Sequence, residues 1–411
     1  MAELAREAQV AEQNMQHFMS YSPWSGRVLI AEVQQAMMER PELQGGMLIL
    51  DESADEKSGD SSAGAGRQQN GRMGKVDECQ VGVYLVYTKH QHWTLWDGCL
   101  FIPEKWFSAD AAQRRTKAEI PNQRHFQTKV ELGWQMIEQA KARGLTFEAV
   151  AFDSLYGRSY WLRERCAQAS LEYYADIPNN YPLYREAPVL EFEQGKRGKP
   201  TRKFRIIGQE ALQAADFARL PQTVWENITL RPTERGQMQV EFARYRVWTV
   251  TSTGTVREET LLLKRESPSI RYVLTNAPPS TPLAILADRK CQRYFVERSL
   301  QDAKSELGMA DFQALKYRAW DHHLALTVVA SWFIAETRLD WAAEFPPDSQ
   351  LLREYETDVL PRLSMSNVCE LLRAVLPLRQ LSSQEAAALV LQHLDNRTRS
   401  RRSRLRKHSG P

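Results

Sequence analysis

Several kinds of protein are excluded by what this sequence has little of. It holds five cysteines, Cys79, Cys99, Cys166, Cys291 and Cys369, with no C-x-x-C pair among them. That spacing indicates neither a zinc site nor a disulfide framework. The longest apolar run, Leu324–Ala335, is too short to span a bilayer and reads as a buried helix, so no membrane partner is expected. The opening M-A-E-L-A-R-E-A has no apolar h-region, so no secretory leader is expected and a reducing cytoplasm is the default. No charge sign dominates either, with 54 Lys and Arg against 51 Asp and Glu. Any attraction to a polyanion must therefore be local.

What is present fits a soluble globular chain. It has 411 residues, 43% apolar and 26% charged, enough for two or three domains and a sizeable core. The net charge is uneven. Seven Lys and Arg with no acid fall in Asn396–Pro411, which leaves −4 on the rest of a chain whose total is +3. Residues 1–45 read as helical with a break at S-Y-S-P-W-S, where Ser22 and Pro23 suit a cap and a first turn. This segment is either a small DNA-binding element or a brace on the main domain.

Met47–Leu50 is an apolar run that ends in Asp51 and passes into a Gly-, Ser- and Gln-rich loop, 58–74. Two strand-like stretches follow, Val76–Thr88 and Trp93–Phe101, and the three together predict an antiparallel meander. A helix is expected over Arg124–Arg143, with Phe126, Val130, Trp134 and Ile137 on its apolar face and Gly144 just past its end. T-F-E-A-V-A-F-D-S is then a strand ending in Asp153, followed by a turn at Tyr156-Gly157 and a helix over Ser159–Ala169. Aspartates at the ends of apolar strands stand where sites in α/β folds tend to lie. Taken alone each is more often structural, a turn cap, but two on strands of one sheet point to a site.

From about Tyr174 to Pro279 short β-like runs alternate with Gly/Pro turns. The segment 196–205 carries six cations and is either a phosphate contact or an exposed hairpin tip. Trp225 and Trp248 are candidates for stacking on an unpaired base, with at least one expected in the core.

The stretch R-Y-F-V-E-R-S-L-Q-D-A-K places Arg293, Glu297 and Lys304 at offsets of four and eleven, nearly the same angle on a helix. A carboxylate between two cations stays ionised, which suits a divalent-cation ligand better than a general acid. The cations would be free to clamp phosphate oxygens.

Strand aspartate, second strand aspartate, β-rich insertion and R-x-x-x-E-x-x-x-x-x-x-K together resemble the DDE transposases of bacterial insertion sequences. The match is closest to those whose last motif reads Y-x-x-R-x-x-x-E-x-x-x-x-x-x-K. The blocks M-Q-H-F-M-S-Y-S-P-W, I-L-D-E-S, G-R-M-G-K-V-D-E-C-Q-V-G-V, V-A-F-D-S-L-Y-G and V-E-R-S-L-Q-D-A-K-S-E-L-G-M carry the resemblance over most of the chain. One position departs: the motif's tyrosine is Lys290 here, so no role of that tyrosine is inherited.

The resemblance implies an α/β, ribonuclease-H-like catalytic domain interrupted by a β-rich insertion, with helical N- and C-terminal segments. On that plan the chain divides into an N-terminal segment 1–45, catalytic parts 46–173 and 280–340 around an insertion 174–279, a helical segment 341–395 and a basic tail 396–411. Asp51, Asp153 and Glu297 become the metal-binding triad for two Mg²⁺, with Mn²⁺ substituting, and Arg293 and Lys304 become phosphate clamps. The implied activity is metal-dependent cleavage at transposon ends and strand transfer into target DNA. Two alternatives are a nuclease of this fold that cuts without joining, and a non-catalytic DNA-binding relic. The implied partners are terminal inverted repeats, target DNA and a second copy of the chain in a synaptic complex, at the nucleoid in the cytoplasm. Candidate DNA contacts are Lys196, Arg197, Lys199, Arg202, Lys203, Lys316 and Arg318, together with the tail residues Arg397, Arg399, Arg401, Arg402, Arg404, Arg406 and Lys407.

Overall fold

In the computed structural model the apolar runs around the two strand aspartates lie side by side. It describes residues 10–71, 74–194, 200–233, 236–344 and 364–375, with 382–384, 387–388 and 391. Residues up to 365 form one compact unit.

Two helices come first, α1 (Glu12–Ser20) and α2 (Gly26–Met38). The cap of α2 is Ser25, not Ser22. The Ser25 hydroxyl accepts the Val28 N–H, and Pro23 stays outside the helix. Gly26 is needed there because a Cβ would lie 2.7 Å from the Asp321 carbonyl oxygen. Ile30, Val33 and Met37 of α2 are buried in the main core.

Strand β1 (Gly46–Glu56) pairs antiparallel with β3 (Lys75–Lys89), which also holds β2 (Gly66–Asn70) and β4 (His92–Leu100). The expected meander is present, and part of the expected loop 58–74 is the hairpin strand β2. Helix α3 (Lys129–Ala142) begins later than the apolar spacing suggests. A reciprocal cap between Thr128 and Glu131 sets its start, Phe126 packs edge-on against Phe101 outside the helix, and Gly144 ends it at φ +89°.

Strand β5 (Phe147–Phe152) lies parallel to β1, and a single helical turn, α4 (Ser154–Gly157), follows it at the position of the expected turn. Helix α5 (Tyr160–Gln168) then leads to β6 (Glu172–Ile177), parallel to β5. β6 crosses the expected boundary at 173/174. Leu48–Leu50 and Val150–Phe152 are fully buried, as their unbroken apolar runs require for strands covered on both faces.

β7 (Val189–Gln194) and β8 (Pro200–Ile207) form a separate hairpin. β9 (Glu226–Thr233), β10 (Gly236–Val250), β11 (Val256–Glu266) and β12 (Ser269–Thr275) continue the central sheet, because β12 pairs with β6. The sheet runs β9-β10-β11-β12-β6-β5-β1-β3-β2, with β4 beside β3. Its β4-β3-β1-β5-β6 portion is a mixed α/β arrangement compatible with a ribonuclease-H-like fold.

The chain then forms α6 (Leu283–Gln292), α7 (Tyr294–Ser305) and the long, largely buried α8 (Tyr317–Glu344). His322 of α8 is buried, with its ring nitrogens 2.8 Å from the Met19 and Trp24 carbonyl oxygens. Among the described residues no helix is long and apolar enough to cross a membrane. The second compact unit, 366–411, holds most of α9 (Met365–Val375), and the tail 396–411 lies outside the described residues.

Candidate active site

Alternation along β1 sorts its acidic residues onto two faces. Leu50 and Glu52 face α3: a Cβ on Gly133 would lie 2.4 Å from Leu50, and Glu52 pairs with Lys129 at 2.7 Å. Asp51 and Asp55 face α7 through Arg293 and Lys304. β1 does not end at Asp51, as the sequence suggests. What ends is its parallel pairing with β5, at Leu50 opposite Phe152, while its antiparallel pairing with β3 runs on to Glu56. The next residue on each parallel strand is Asp51 and Asp153, so the two aspartates are neighbours.

Both carboxylates are short of solvent. Burial raises the Asp51 pKa to about 7, against the pull of Arg293, and neighbouring Asp153 adds to the rise. Burial likewise raises Asp153, again opposed by Arg293. The Asp51 Oδ1 accepts the Glu52 N–H at 2.8 Å. The Asp153 Oδ1 accepts the Leu155 N–H at 3.0 Å and so starts α4. Asp153 is thus both a turn cap and a candidate site carboxylate.

Arg293, at the head of α7, is the hub. Its guanidinium lies 3.7 Å from Asp51, 3.6 Å from Asp176 and 3.0 Å from Glu297. Burial works against its charge, but these carboxylates outweigh it and raise its pKa. Asp176, at the end of β6, is not among the residues singled out from the sequence. Its signal, Y-Y-A-D-I, is the one that marks Asp51 and Asp153: an aspartate closing an apolar strand. Lys290 pairs with Asp176 and is almost fully buried, and burial lowers its pKa. The residue that breaks the sequence motif is therefore the partner of a carboxylate that lines a cleft with Asp153.

Glu297 shares the helix face with Arg293 as the spacing predicts, but its side chain is 60% exposed and turned onto Arg293. Lys304, at the far end of the same face, donates to the Ala54 carbonyl at 2.8 Å and pairs with Asp55 at 3.0 Å. α7 is pinned to β1 at both ends.

Hard oxygen donors fit a divalent cation, and Asp51 and Asp153 are a pair of neighbouring carboxylates that share the Arg293 guanidinium as countercharge. Glu297 stands apart from them. Among the described residues no three His, Cys, Asp or Glu side chains are grouped closely enough to hold an ion. A cleft of about 720 Å³ is lined by Asp153, Asp176, Arg293 and Glu297 together with Arg231, Lys264, Glu266 and Arg271, and Glu266 pairs with Lys264 at 2.6 Å and with Arg271 at 3.1 Å.

The other candidate contacts are dispersed. Lys316 pairs with Glu119 and sits over the Tyr21 ring, and Arg318 donates to the Tyr21 carbonyl at 3.3 Å. Lys203 is exposed on β8, which also contains Arg202; Lys196, Arg197, Lys199 and the tail cations Arg397, Arg399, Arg401, Arg402, Arg404, Arg406 and Lys407 lie outside the described residues. Trp225 and Trp248 are both half-buried, Trp225 beneath the Arg265 guanidinium.

Comparison with known proteins adds two findings. The family model for DDE superfamily endonucleases matches residues 1–237, a span that contains Asp51 and Asp153 and stops before Glu297. The probable transposase for insertion sequence element IS701 of Microchaete diplosiphon is 26% identical over 314 residues, 74% of this chain and 70% of that protein.

Proposed function

The chain belongs to the DDE superfamily endonuclease family, and from that premise we propose that it is a DNA transposase that cleaves transposon ends and joins them to target DNA by in-line displacement at phosphorus. The observation that carries this reading is the Asp51–Asp153 pair, two neighbouring, half-buried carboxylates of which Asp153 lines a cleft together with Arg231, Lys264 and Arg271. The similarity to the IS701 transposase supports the joining step over cleavage alone.

In this reading Asp51 and Asp153 hold divalent metal, with two Mg²⁺ ions and Mn²⁺ as a substitute, and Glu297 completes the set. Bound metal supplies Lewis-acid stabilisation of the phosphoryl oxygens and activation of the attacking water or 3′-hydroxyl. The protein's own contribution is positional. Lys304 and Arg293 fix α7 against β1, which holds Glu297 at the mouth of the cleft. Arg293 is the cation next to the reacting phosphate and neutralises charge there. Arg231, Lys264 and Arg271, from the 174–279 segment proposed as an insertion, line the path of the DNA backbone. No covalent protein intermediate is needed, so no Ser, Cys or Tyr nucleophile is assigned. Two ends must be brought together, so the working form is a dimer, acting at the nucleoid.

Incubating the full chain with Mg²⁺, labelled element ends and a target plasmid tests the reading. Joined products are expected. Cleavage without joining would make the protein a nuclease of the same family, and binding without cleavage would make it a relic.

A further inference from the structure

Two neighbouring strands of the cleft carry like charges directly across from each other. Lys264 of β11 is in register with Arg271 of β12, and opposed cations on a sheet repel. Glu266 follows Lys264 by two residues and so shares its face of the strand. One Glu266 carboxylate oxygen accepts from the Lys264 ammonium at 2.6 Å, and the other accepts from the Arg271 guanidinium at 3.1 Å. Burial works to raise the Glu266 pKa, but its bonds to Lys264 and Arg271 outweigh burial and lower it, so the carboxylate is ionised at neutral pH. The cleft thus holds an anion of its own, bound by two of the cations assigned to the DNA path.

Asp176 also lines the cleft and also bridges two cations, Lys290 and Arg293. The two bridges differ in exposure. Asp176 is 16% exposed and its partners no more than that, so it is fixed in the fold. Glu266 is 38% exposed and Arg271 more so, while Lys264 is largely buried. Breaking a solvent-exposed pair costs little, so Glu266 can swing into water while Lys264 keeps its place. A phosphodiester offers the same two cations the same kind of charged oxygen acceptor as a carboxylate does.

We propose that Lys264 and Arg271 form a binding site for one backbone phosphate of DNA, and that Glu266 occupies this site until a phosphate displaces it. The proposal rests on the reading of the chain as a transposase and deepens it. Glu266 is then a built-in competitor, which makes DNA binding through this part of the cleft weaker than its cations alone would give. It also accounts for a carboxylate kept in the path of a polyanion.

The test is binding of end-containing and random duplexes to the full chain, measured by fluorescence anisotropy in EDTA at several salt concentrations. Glu266→Gln is expected to bind both duplexes about fivefold more tightly than wild type. The slope of log K against log salt should steepen by up to about 0.9, for one further phosphate neutralised. Unchanged or weaker binding would overturn the proposal, since Glu266 would then serve to hold the two cations in place. So would equal tightening in Glu258→Gln, which removes an acid of the same strand that pairs with Arg246 at 3.0 Å and does not line the cleft; the gain would then be a general effect of charge. Glu266→Asp keeps the charge but is one methylene short of the reach that spans both cations. It too is expected to bind more tightly than wild type, and it decides the matter if Glu266→Gln does not fold. Absence of duplex binding by wild type would remove the underlying reading of the chain, a separate result, and the proposal with it.

Discussion

Lys290 and Asp176 form an ion pair beneath the candidate site, with Lys290 only 5% exposed and Asp176 also touched by Arg293. Removing one member of a buried pair strands the other's charge, whereas removing both often costs little. Lys290→Met should therefore destabilise the protein by about 3 kcal/mol, and Lys290→Met with Asp176→Asn should recover most of that loss. Chemical denaturation of the two variants and wild type measures both. A single mutant as stable as wild type would show that the pair is not coupled in the fold.

Asp51→Ala and Asp153→Ala should each reduce cleavage and joining by at least about 10²-fold while leaving binding to element ends nearly unchanged. Neither aspartate is ion-paired with Arg231, Lys264 or Arg271 (Lys264 and Arg271 pair with Glu266), so the two readouts separate chemistry from DNA affinity. Glu297→Ala is the more informative variant. Its carboxylate is exposed and held by Arg293, so a loss equal to that of the aspartate variants would mean it moves inward to the metal. Near-wild-type rates would leave the site with two carboxylates from this assignment, and Asp176 would be the next to substitute. Glu52 and Asp55 are poor replacements for Asp51, because each is held by a lysine.

Arg293 and Lys304 share a helix face but should fail differently. Arg293 shares the electrostatic field of Asp51 and Asp153, so it competes with any cation placed there. Arg293→Ala should lower the Mn²⁺ concentration for half-saturation, by about tenfold for the loss of one nearby charge, and still slow cleavage. Lys304→Ala removes the interactions with Ala54 and Asp55 that anchor the end of α7. Its first effect should be a lower melting temperature. Tighter metal binding in Lys304→Ala, or weaker binding in Arg293→Ala, would reverse these assignments.

Much of the fold is legible in local pattern. The unbroken runs M-L-I-L and A-V-A-F identify strands buried on both faces, and an aspartate follows each run where the parallel pairing of the two strands ends. Boundaries are harder where a side-chain cap competes with apolar spacing. Phe126 suits the helix face by periodicity, but Thr128 and Glu131 cap each other and start α3 three residues later than Phe126. The extent of β1 past Asp51 is set by β3, a partner distant in sequence, and D-E-S-A-D-E carries no apolar signal for it. Asp176 bears the same signature as the other two aspartates, but Y-Y-A-D-I falls where the character of the chain turns to short strands and polar turns, which masks it. The role of Lys290 is beyond local reading altogether: its partner is 114 residues away.

The tail tests how general DNA affinity is supplied. Asn396–Pro411 carries seven Lys and Arg and no acid, interspersed with Ser, Thr and Leu. Each phosphate it neutralises releases counterions, so binding through it should fall steeply with salt. Deleting it should weaken binding to any duplex and reduce the slope of log K against log salt by about 0.9 for each phosphate it no longer neutralises. Preference for element ends should hold, because phosphate contacts carry no base information. Arg231→Ala and Arg271→Ala, on the wall of the cleft, should do the opposite and slow cleavage with a smaller change in salt slope. Titrating the deletion against end-containing and random duplexes at several salt concentrations decides the matter. An unchanged slope would show that the tail does not touch DNA, and a selective loss on element ends would show that it reads sequence.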